Sequence, residues 1–244
     1  MANTEKAYKL VALQEGISNA KAKDLIDRGL VFCSGKKVKI ARGELDIKSE
    51  FRIDKIAPAE VLFEDENIIA INKPAFVNSE EVVKKFHDVT LLHRLDKETS
   101  GVLLLTKNEE FRLKAIEAFK NDAVYKEYIA WVEGVVVEEM VIDKPIKTTK
   151  GAFARSNIDR NGKSAKTEVY PVLAARKRSK IKLVIHQGRT HQIRVHLRSV
   201  GHSVVGDTLY GGMESDRVML HSHIIKLFDY TFEAPEPKIF RKFE

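Results

Sequence analysis

Blocks of apolar residues separated by polar turns predict strands and one amphipathic helix along the middle of the chain. "GVLLLTK", from residue 101, is continuously apolar and predicts a buried central strand. Residues 61–63 and 68–72 predict two further strands around the acidic turn "EDEN". "VYKEYIAWVEG" alternates and predicts a strand that carries Tyr128. "NEEFRLKAIEAFKN" predicts a helix with Asn108 as N-cap. Its expected apolar stripe consists of Phe111, Ala115, Ile116 and Phe119.

A second helix is predicted in "GRTHQIRVHLRSVG". Gly188 breaks the strand predicted by "KIKLVIHQ", Thr190 can cap the helix, and Gly201 can end it. Three ionisable residues share one flank of this helix: His191, Arg194 and Arg198. An arginine on that flank can bind a buried carboxylate bidentately and hold it in place.

The first 57 residues predict a small unit of their own. A helix runs from Ser18, as N-cap, to Gly29. Strands are predicted at residues 30–33 and 38–40 around the turn "SGKK", and a third in "SEFRID". Pro58 marks the break, so we predict domains at residues 1–57 and 58–244. Pattern alone predicts the α+β class.

Composition and cysteine content narrow the class of protein. A chain of 244 residues that is 43% hydrophobic is long enough for one large core and a small second module. The N-terminus "MANTEKAYKL" has no apolar signal-peptide core, and the apolar runs are of strand length, so we expect neither export nor a membrane. Cys33 is the single cysteine, which favours a reducing cytoplasm.

Positive charge is concentrated in one segment. The net charge is +7, but residues 144–198 hold 15 Lys and Arg against two acids, so this segment carries +13 and the remainder 7 − 13 = −6. Such a field attracts a polyanion, and RNA or DNA is the commonest partner of that kind. The alternative is a solvated surface that keeps the protein soluble.

Asp96 is the strongest candidate for chemistry, because "HRLDKETS" delivers the chain into the predicted buried strand. A carboxylate at the edge of a core needs a charged or hydrogen-bonded partner. Asp96 is therefore either a nucleophile or general base, or a residue that fixes the loop through backbone N–H groups. A metal site at His186, His191 and His196 is not expected, because steps of five residues do not align ligands on one helix face.

The first unit resembles the alpha-L RNA-binding module known from a small-subunit ribosomal protein, over roughly residues 7–55. It departs from that pattern at Asn19 and Ser34. The resemblance implies RNA contacts from four lysines: Lys21, Lys23, Lys36 and Lys37. The alternative is a small α+β cap whose lysines are merely solvated.

From about residue 60 onward the chain resembles the RluA-family pseudouridine synthases. The motifs "HRLDKETSGVLLLTK", "YIAWVEG", "GRTHQIRVHLRSVGHSVVGDTLYGG", "LHS" and "FEAPEP" follow one another in the family's order. The resemblance implies a mixed, largely antiparallel central sheet with flanking helices. It also implies isomerisation of uridine to pseudouridine, with ribosomal RNA of the large subunit as the expected substrate.

The same resemblance implies the site. Asp96 is the expected catalytic residue, Arg194 its ion-pair partner, and Tyr128 the aromatic that stacks on uracil. Substrate contacts are expected from Arg94, Leu220, His93, Thr99, Arg189, His191 and Gln192. Lys177 and Lys180 are expected to contact RNA in the basic segment.

The expected partners are ribosomal RNA or pre-ribosomal particles, bound by a monomer, with no metal, no cofactor and no membrane. Two other classes were weighed against this one. A non-catalytic RNA-binding or ribosome-assembly factor on the same fold would use only the basic surface. A nuclease or phosphoryl-transfer enzyme would need clustered carboxylates for paired magnesium ions, which the sequence does not offer.

Overall fold

The structure is a computed structural model that describes residues 3–149 and 154–244, so part of the basic segment, residues 150–153, lies outside the described residues. Contacts divide the chain into two units, Met1–Ala57 and Pro58–Glu244. The elements of the first unit are β1 (Thr4–Lys6), α1 (Ala7–Glu15), α2 (Asn19–Asp27), β2 (Val31–Cys33), β3 (Lys36–Lys37), β4 (Glu44–Asp46) and β5 (Phe51–Ile53). β1 pairs with β4, and β2 lies between β3 and β5.

The first unit confirms the predicted helix and corrects one strand. α2 begins after Ser18, whose Oγ accepts a hydrogen bond from the Lys21 N–H at 3.2 Å. The strand predicted at residues 38–40 is wrong. Ser34 and Gly35 both have positive φ, 48° and 76°, and form a two-residue turn, so pairing resumes at once in β3. α1 was not predicted, although it buries Leu10 and its neighbours against α2.

The second unit contains one large sheet. Its strands are β6 (Glu60–Glu64), β7 (Ile69–Lys73), β8 (Thr90–Leu91), β9 (Ser100–Thr106), β10 (Tyr125–Glu133), β11 (Met140–Asp143), β12 (Ile146–Thr149), β13 (Arg155–Ile158), β14 (Lys166–Ala175), β15 (Arg178–Ile185), β16 (Leu220–Leu227) and β17 (Tyr230–Glu233). Its helices are α3 (Ser79–Val83), α4 (Glu109–Lys120), α5 (Gln192–Ser199) and the 3₁₀ turns Thr208–Tyr210 and Lys238–Phe243.

The large sheet has the order β11-β14-β15-β10-β16-β9-β7-β6, with β17 on β16 and β8 on β9. Its strand pairs are antiparallel except for β9 and β16, which run parallel. β12 and β13 pair separately. The α+β class with a mixed, largely antiparallel sheet is therefore confirmed.

The parallel pair brings two distant segments to one end of the sheet. All seven residues of β9 are buried, as the sequence predicts for a central strand. Gly101 has φ 112°, and a Cβ there would overlap the Ser222 carbonyl of β16, so this close approach requires glycine. Parallel strands begin at the same end, so the loop before β9, with Asp96, lies beside Leu220 at the start of β16.

Two helix predictions need correction. In α4, Asn108 accepts from the Phe111 N–H as expected, but Ile116 is 41% exposed and Ala118 is buried in its place. The apolar stripe follows the spacing i, i+4, i+7 from Phe111, which points position 116 to solvent. In α5, Thr190 is exposed and is not the cap. The N-cap is His191, whose backbone is left-handed with φ 53° and whose side chain makes no capping bond.

Candidate active site

Asp96 lies in the loop between β8 and β9, and buried polar side chains hold this loop. Ser79 Oγ accepts a hydrogen bond from the Leu95 N–H at 3.0 Å and donates to the Leu95 carbonyl at 3.2 Å. Lys73 Nζ, fully buried at the end of β7, donates to the Lys97 carbonyl at 3.4 Å. The backbone is thus fixed on both sides of Asp96, which holds its carboxylate in position.

Arg194 extends from α5 to that carboxylate and is itself 3% exposed. Its Nη1 lies 3.3 Å from Asp96 Oδ2 and 3.4 Å from Glu98 Oε2. The two-pronged side of the guanidinium binds Asp207, with Nε–Oδ2 at 2.6 Å and Nη2–Oδ1 at 2.8 Å. The bidentate carboxylate is therefore Asp207, and the Nη1 amino group remains directed to the loop.

The Arg194 charge is retained despite burial. Burial lowers the pKa of Arg194, but the hydrogen bond and charge of Asp207, together with the charges of Asp96 and Glu98, raise it above its ordinary value. Asp207 is 1% exposed, so the two charges compensate each other inside the protein. This buried pair fixes the orientation of the N–H group that points to Asp96.

Two cavities meet at Asp96. The small cavity, of about 70 Å³, is lined by Asp96, Arg194, Tyr128 and Leu220 among others. The large cavity, of about 740 Å³, is also lined by Asp96 and includes Lys97. The residues common to both are Arg94, Leu95, Asp96, Gly188, Arg189, His191 and Arg194. The structure thus brings the three predicted catalytic residues to one small cavity, and the large cavity shares Asp96 and Arg194 with it.

Tyr128 and Leu220 form apolar surface of the small cavity. Tyr128 lies on β10 opposite Ser222 of β16, and Leu220 pairs with Ala130 on the same two strands. Burial raises the pKa of Tyr128 to about 12, and the nearby Asp96 charge acts in the same direction. The phenol is therefore neutral at pH 7.

Four of the predicted substrate-contact residues line the small cavity in different ways. Thr99 is 2% exposed in the Asp96 loop. Arg94 is exposed, and its Nε lies 3.0 Å from Glu80 of α3. Arg189 donates to the Ser164 carbonyl at 3.0 Å, so one edge of its guanidinium is already bound. Gln192 is buried and donates to the Lys166 carbonyl at 2.9 Å, which fixes the start of α5.

His93 is a correction, because the structure turns its side chain toward α4. The imidazole stacks on Phe119 with ring centroids 5.4 Å apart, and its Nε2 accepts from the Leu104 N–H at 3.2 Å. Burial lowers the pKa of His93 to about 4. His93 is therefore a neutral packing residue. The neighbouring side chain, Arg94, is the one that faces the cavities.

Sequence reasoning missed several buried charges around the site. Arg217 donates from Nη2 to Ser100 Oγ and to the Leu220 carbonyl, both at 2.9 Å. Burial lowers the pKa of Arg217 to about 10 and that of Lys73 to about 7. Asp207 and Tyr210 both stand in the quoted motif "GDTLYGG", so that motif was the available signal.

The six predicted RNA-binding lysines differ in their surroundings. Lys21, Lys36 and Lys177 are exposed. Lys23 Nζ lies 4.2 Å from the Tyr8 ring centroid, and Lys37 Nζ lies 5.8 Å from that of Phe32. Lys180 is a correction: its side chain is 12% exposed and its Nζ lies 2.7 Å from Glu236 and 2.8 Å from Glu244. Its charge is neutralised within the protein.

Within residues 3–149 and 154–244, no group of three or more His, Cys, Asp or Glu side chains could hold a metal ion. No helix in this described part of the chain is long and apolar enough to cross a membrane.

The chain is similar to known proteins. A family model described as RNA pseudouridylate synthase matches residues 67–199, the stretch that contains Asp96, Tyr128 and Arg194. The chain is 51% identical over 239 residues to an uncharacterized RNA pseudouridine synthase of Helicobacter pylori strain J99, covering 97% of this chain and 99% of the relative.

Two further likenesses are more distant. The chain is 28% identical over 254 residues to the ribosomal large subunit pseudouridine synthase D of Vibrio cholerae, covering 88% of this chain and 78% of that protein. The solved structure of human RNA pseudouridylate synthase domain containing 1 is similar with a TM-score of 0.65 and 26% identity, covering 75% of this chain and 84% of that one.

Proposed function

The chain belongs to the RNA pseudouridylate synthase family, and on that premise we propose that it is an RluA-type member that modifies large-subunit ribosomal RNA. The family identifies the chain as an RNA pseudouridine synthase. The choice of ribosomal RNA is supported by the name of the Vibrio cholerae relative and by the motif order described above. The proposed setting is the cytoplasm, with a monomer acting on ribosomal RNA or pre-ribosomal particles.

The reaction is an isomerisation that balances within one uridine. The bond from ribose C1′ to uracil N1 breaks, the uracil turns, and a bond from C1′ to C5 forms. C5 loses a proton and N1 gains one, so electrons and atoms are conserved. We expect no cofactor, because no oxidant, reductant or activated group is consumed.

The observation that carries the proposed site is the meeting of Asp96, Arg194 and Tyr128 in the small cavity. The proposed role of Asp96 is to attack C1′ or to remove a proton from the ribose. Arg194 would hold that carboxylate in its reactive orientation. Tyr128 would stack on the uracil, with Leu220 as the other apolar wall.

The large cavity supports entry of a single nucleotide from folded RNA. A paired or stacked uridine must be flipped out, which costs a few kcal/mol. Arg94, Lys97 and Arg189 line the large cavity, where phosphate contacts can offset that cost. Arg94 is paired with Glu80 in the free protein, so RNA must compete with this glutamate for the arginine.

For the first unit, Met1–Ala57, we propose an RNA-binding module of the alpha-L type. Exposed Lys21 on α2 and Lys36 on β3 support this role. Deleting residues 1–57 should leave turnover near normal at saturating RNA and raise the RNA concentration needed for half-maximal rate. A folded truncated protein with no activity on any uridine-containing RNA would show that the first unit is part of the active site.

The catalytic proposal is tested by Asp96→Asn, which keeps shape and removes the charge. Tritium release from [5-³H]uridine RNA should cease while RNA binding stays near wild type. Asp229→Asn, an exposed aspartate on the turn after β16, is the matched control and should have normal turnover. Normal turnover of Asp96→Asn would reject the assignment.

The substrate proposal needs a separate measurement. Pseudouridines would be mapped in ribosomal RNA from cells with and without the gene. We expect the loss of one or a few sites in the large-subunit RNA. Loss of sites only in transfer RNA would leave the enzyme class standing and reject the ribosomal substrate. No loss at any site would favour a non-catalytic ribosome-assembly factor.

A further inference from the structure

A chain of hydrogen bonds leads from the protein interior to His191 at the cavities. The Ser156 N–H donates to the Tyr210 hydroxyl at 2.9 Å. The same hydroxyl lies 2.8 Å from His191 Nδ1. On the far side of the ring, Nε2 lies 3.9 Å from Asp96 Oδ1, beyond hydrogen-bond distance. Tyr210 and Asp96, which are distant in the sequence, thus lie at the two nitrogens of one imidazole.

The direction of these bonds can be read from the partners. Tyr210 is 1% exposed, and its oxygen already accepts from Ser156. Among the described residues, the acceptor that remains for its hydroxyl proton is His191 Nδ1. A buried hydroxyl proton without an acceptor is costly, so Tyr210 donates and Nδ1 accepts. The neutral ring then carries its proton on Nε2, which faces the cavities.

The charges around the ring are consistent with a neutral imidazole. Burial lowers the pKa of His191, and the Arg194 charge acts in the same direction against the carboxylates nearby. Those carboxylates are Asp96, Glu98 and Asp207. Protonation of Nδ1 would also displace the Tyr210 hydroxyl proton from its acceptor. A neutral ring leaves the Asp96 carboxylate without a competing cation on that side.

The ring is also held rigidly. His191 has a left-handed backbone with φ 53°, an uncommon conformation for a residue other than glycine. Its ring meets the Tyr210 ring edge to face, with centroids 5.5 Å apart and an interplanar angle of 78°. The side chain lines both cavities. The backbone conformation and the contact with Tyr210 therefore hold the ring in position at the cavities.

We propose that the His191 Nε2–H donates a hydrogen bond to a ribose oxygen of the target nucleotide, and that Tyr210 is a positioning residue that selects this tautomer. The ribose is the expected acceptor, because Nε2 opens beside the carboxylate assigned to ribose chemistry. This inference rests on the proposed role of Asp96. It adds His191 as a hydrogen-bond donor to the substrate and Tyr210 as the residue that positions His191.

Two replacements of His191 separate a donor from a backbone role. Asn accepts the left-handed conformation well, but its short amide cannot reach the Nε2 position. Gln accepts that conformation less well, but its amide N–H can reach. If His191 acts as a donor, His191→Gln retains more single-turnover activity than His191→Asn. If His191 serves only the backbone turn, the order is reversed, which would overturn the proposal.

Tyr210→Phe tests the tautomer directly. With ¹⁵N-labelled histidine, wild type should show Nδ1 unprotonated and Nε2 protonated, and Tyr210→Phe a mixture of both tautomers. Single turnover should fall about tenfold, the effect of one hydrogen bond. The control is Tyr230→Phe, which loses a hydroxyl bond to Asp65 away from the cavities and should match wild type. An unchanged His191 spectrum in Tyr210→Phe would refute the positioning role.

The variants distinguish a failure of the Asp96 role from a failure of the His191 role. If Asp96→Asn remains active, the proposed catalytic role of Asp96 fails. If Asp96→Asn is inactive but His191→Asn exceeds His191→Gln, only the donor role of His191 fails.

Discussion

Positively charged side chains have different roles in the small cavity and on the hairpin of β14 and β15. In the small cavity, Arg194 is buried, bound bidentately to Asp207 and directed by one N–H to Asp96. On the hairpin, Lys177 is exposed to solvent, and Lys180 nearby is bound by two glutamates. A count of charges in the sequence treats Arg194, Lys177 and Lys180 alike. Burial and partners decide which charge orients a catalytic group, which can contact phosphate and which is neutralised.

Arg194→Ala should have the largest effect. It removes the partner of Asp96 and leaves Asp207 buried without a counter-charge, and breaking a buried pair costs about 3–5 kcal/mol. Turnover should collapse while the salt dependence of RNA affinity barely changes. Arg194→Lys should rescue poorly, because an ammonium cannot bind Asp207 bidentately and also reach Asp96.

The measurement for Arg194 is single-turnover rate together with RNA affinity across salt concentrations. Near-normal turnover at saturating RNA with a reduced salt slope would make Arg194 a phosphate contact. That outcome would erase the difference between the two regions.

Asp207→Asn should have the next largest effect. The amide can still accept one hydrogen bond from Arg194, but the buried guanidinium loses its counter-charge and its fixed orientation. We expect turnover to fall by about 100-fold, roughly 2.7 kcal/mol, with RNA affinity little changed. Asp216→Asn, on the surface, is the comparison variant. Equal turnover in the two variants would show that Asp207 does not position Arg194.

The buried His221 makes the free energy of unfolding depend on pH. It is fully buried, and burial lowers its pKa to about 3 from the ordinary 6.5. Between these values the unfolded chain binds a proton that the folded protein does not, so the free energy of unfolding falls as the pH falls. We expect His221 to account for about 1–3 kcal/mol of this acid loss. Urea unfolding at pH 7 and pH 4 should show a smaller loss in His221→Gln. An identical loss in both proteins would contradict the prediction.

The smallest effects belong to the hairpin. Lys177→Ala should weaken RNA binding slightly and reduce the slope of log K against log[salt] by about one unit or less. Lys180→Ala should leave that slope unchanged, because its charge is already paired with Glu236 and Glu244. Affinity titrations at several salt concentrations distinguish the two lysines. Equal slopes for both variants would mean that RNA displaces the glutamates.

Much of the fold could be predicted from local pattern. The central strand β9, the helix caps at Ser18 and Asn108, and the position of the Asp96 loop before a buried strand all follow from short-range rules. The failures come from the backbone conformation of single residues. Two left-handed residues at Ser34 and Gly35 moved a strand, and a left-handed His191 moved the start of α5. Backbone conformations of this kind depend on contacts outside the window that a pattern covers.

The sequence by itself determined the α+β class, the basic segment and a carboxylate placed at the edge of a core. Only the tertiary structure decided which groups surround that carboxylate. Asp96 and Arg194 are 98 residues apart, and the bidentate partner of Arg194 proved to be Asp207. Periodicity reports which face of an element is buried, because burial repeats along that element. It carries no information on which polar side chains meet, since that depends on how strands pair and where loops close.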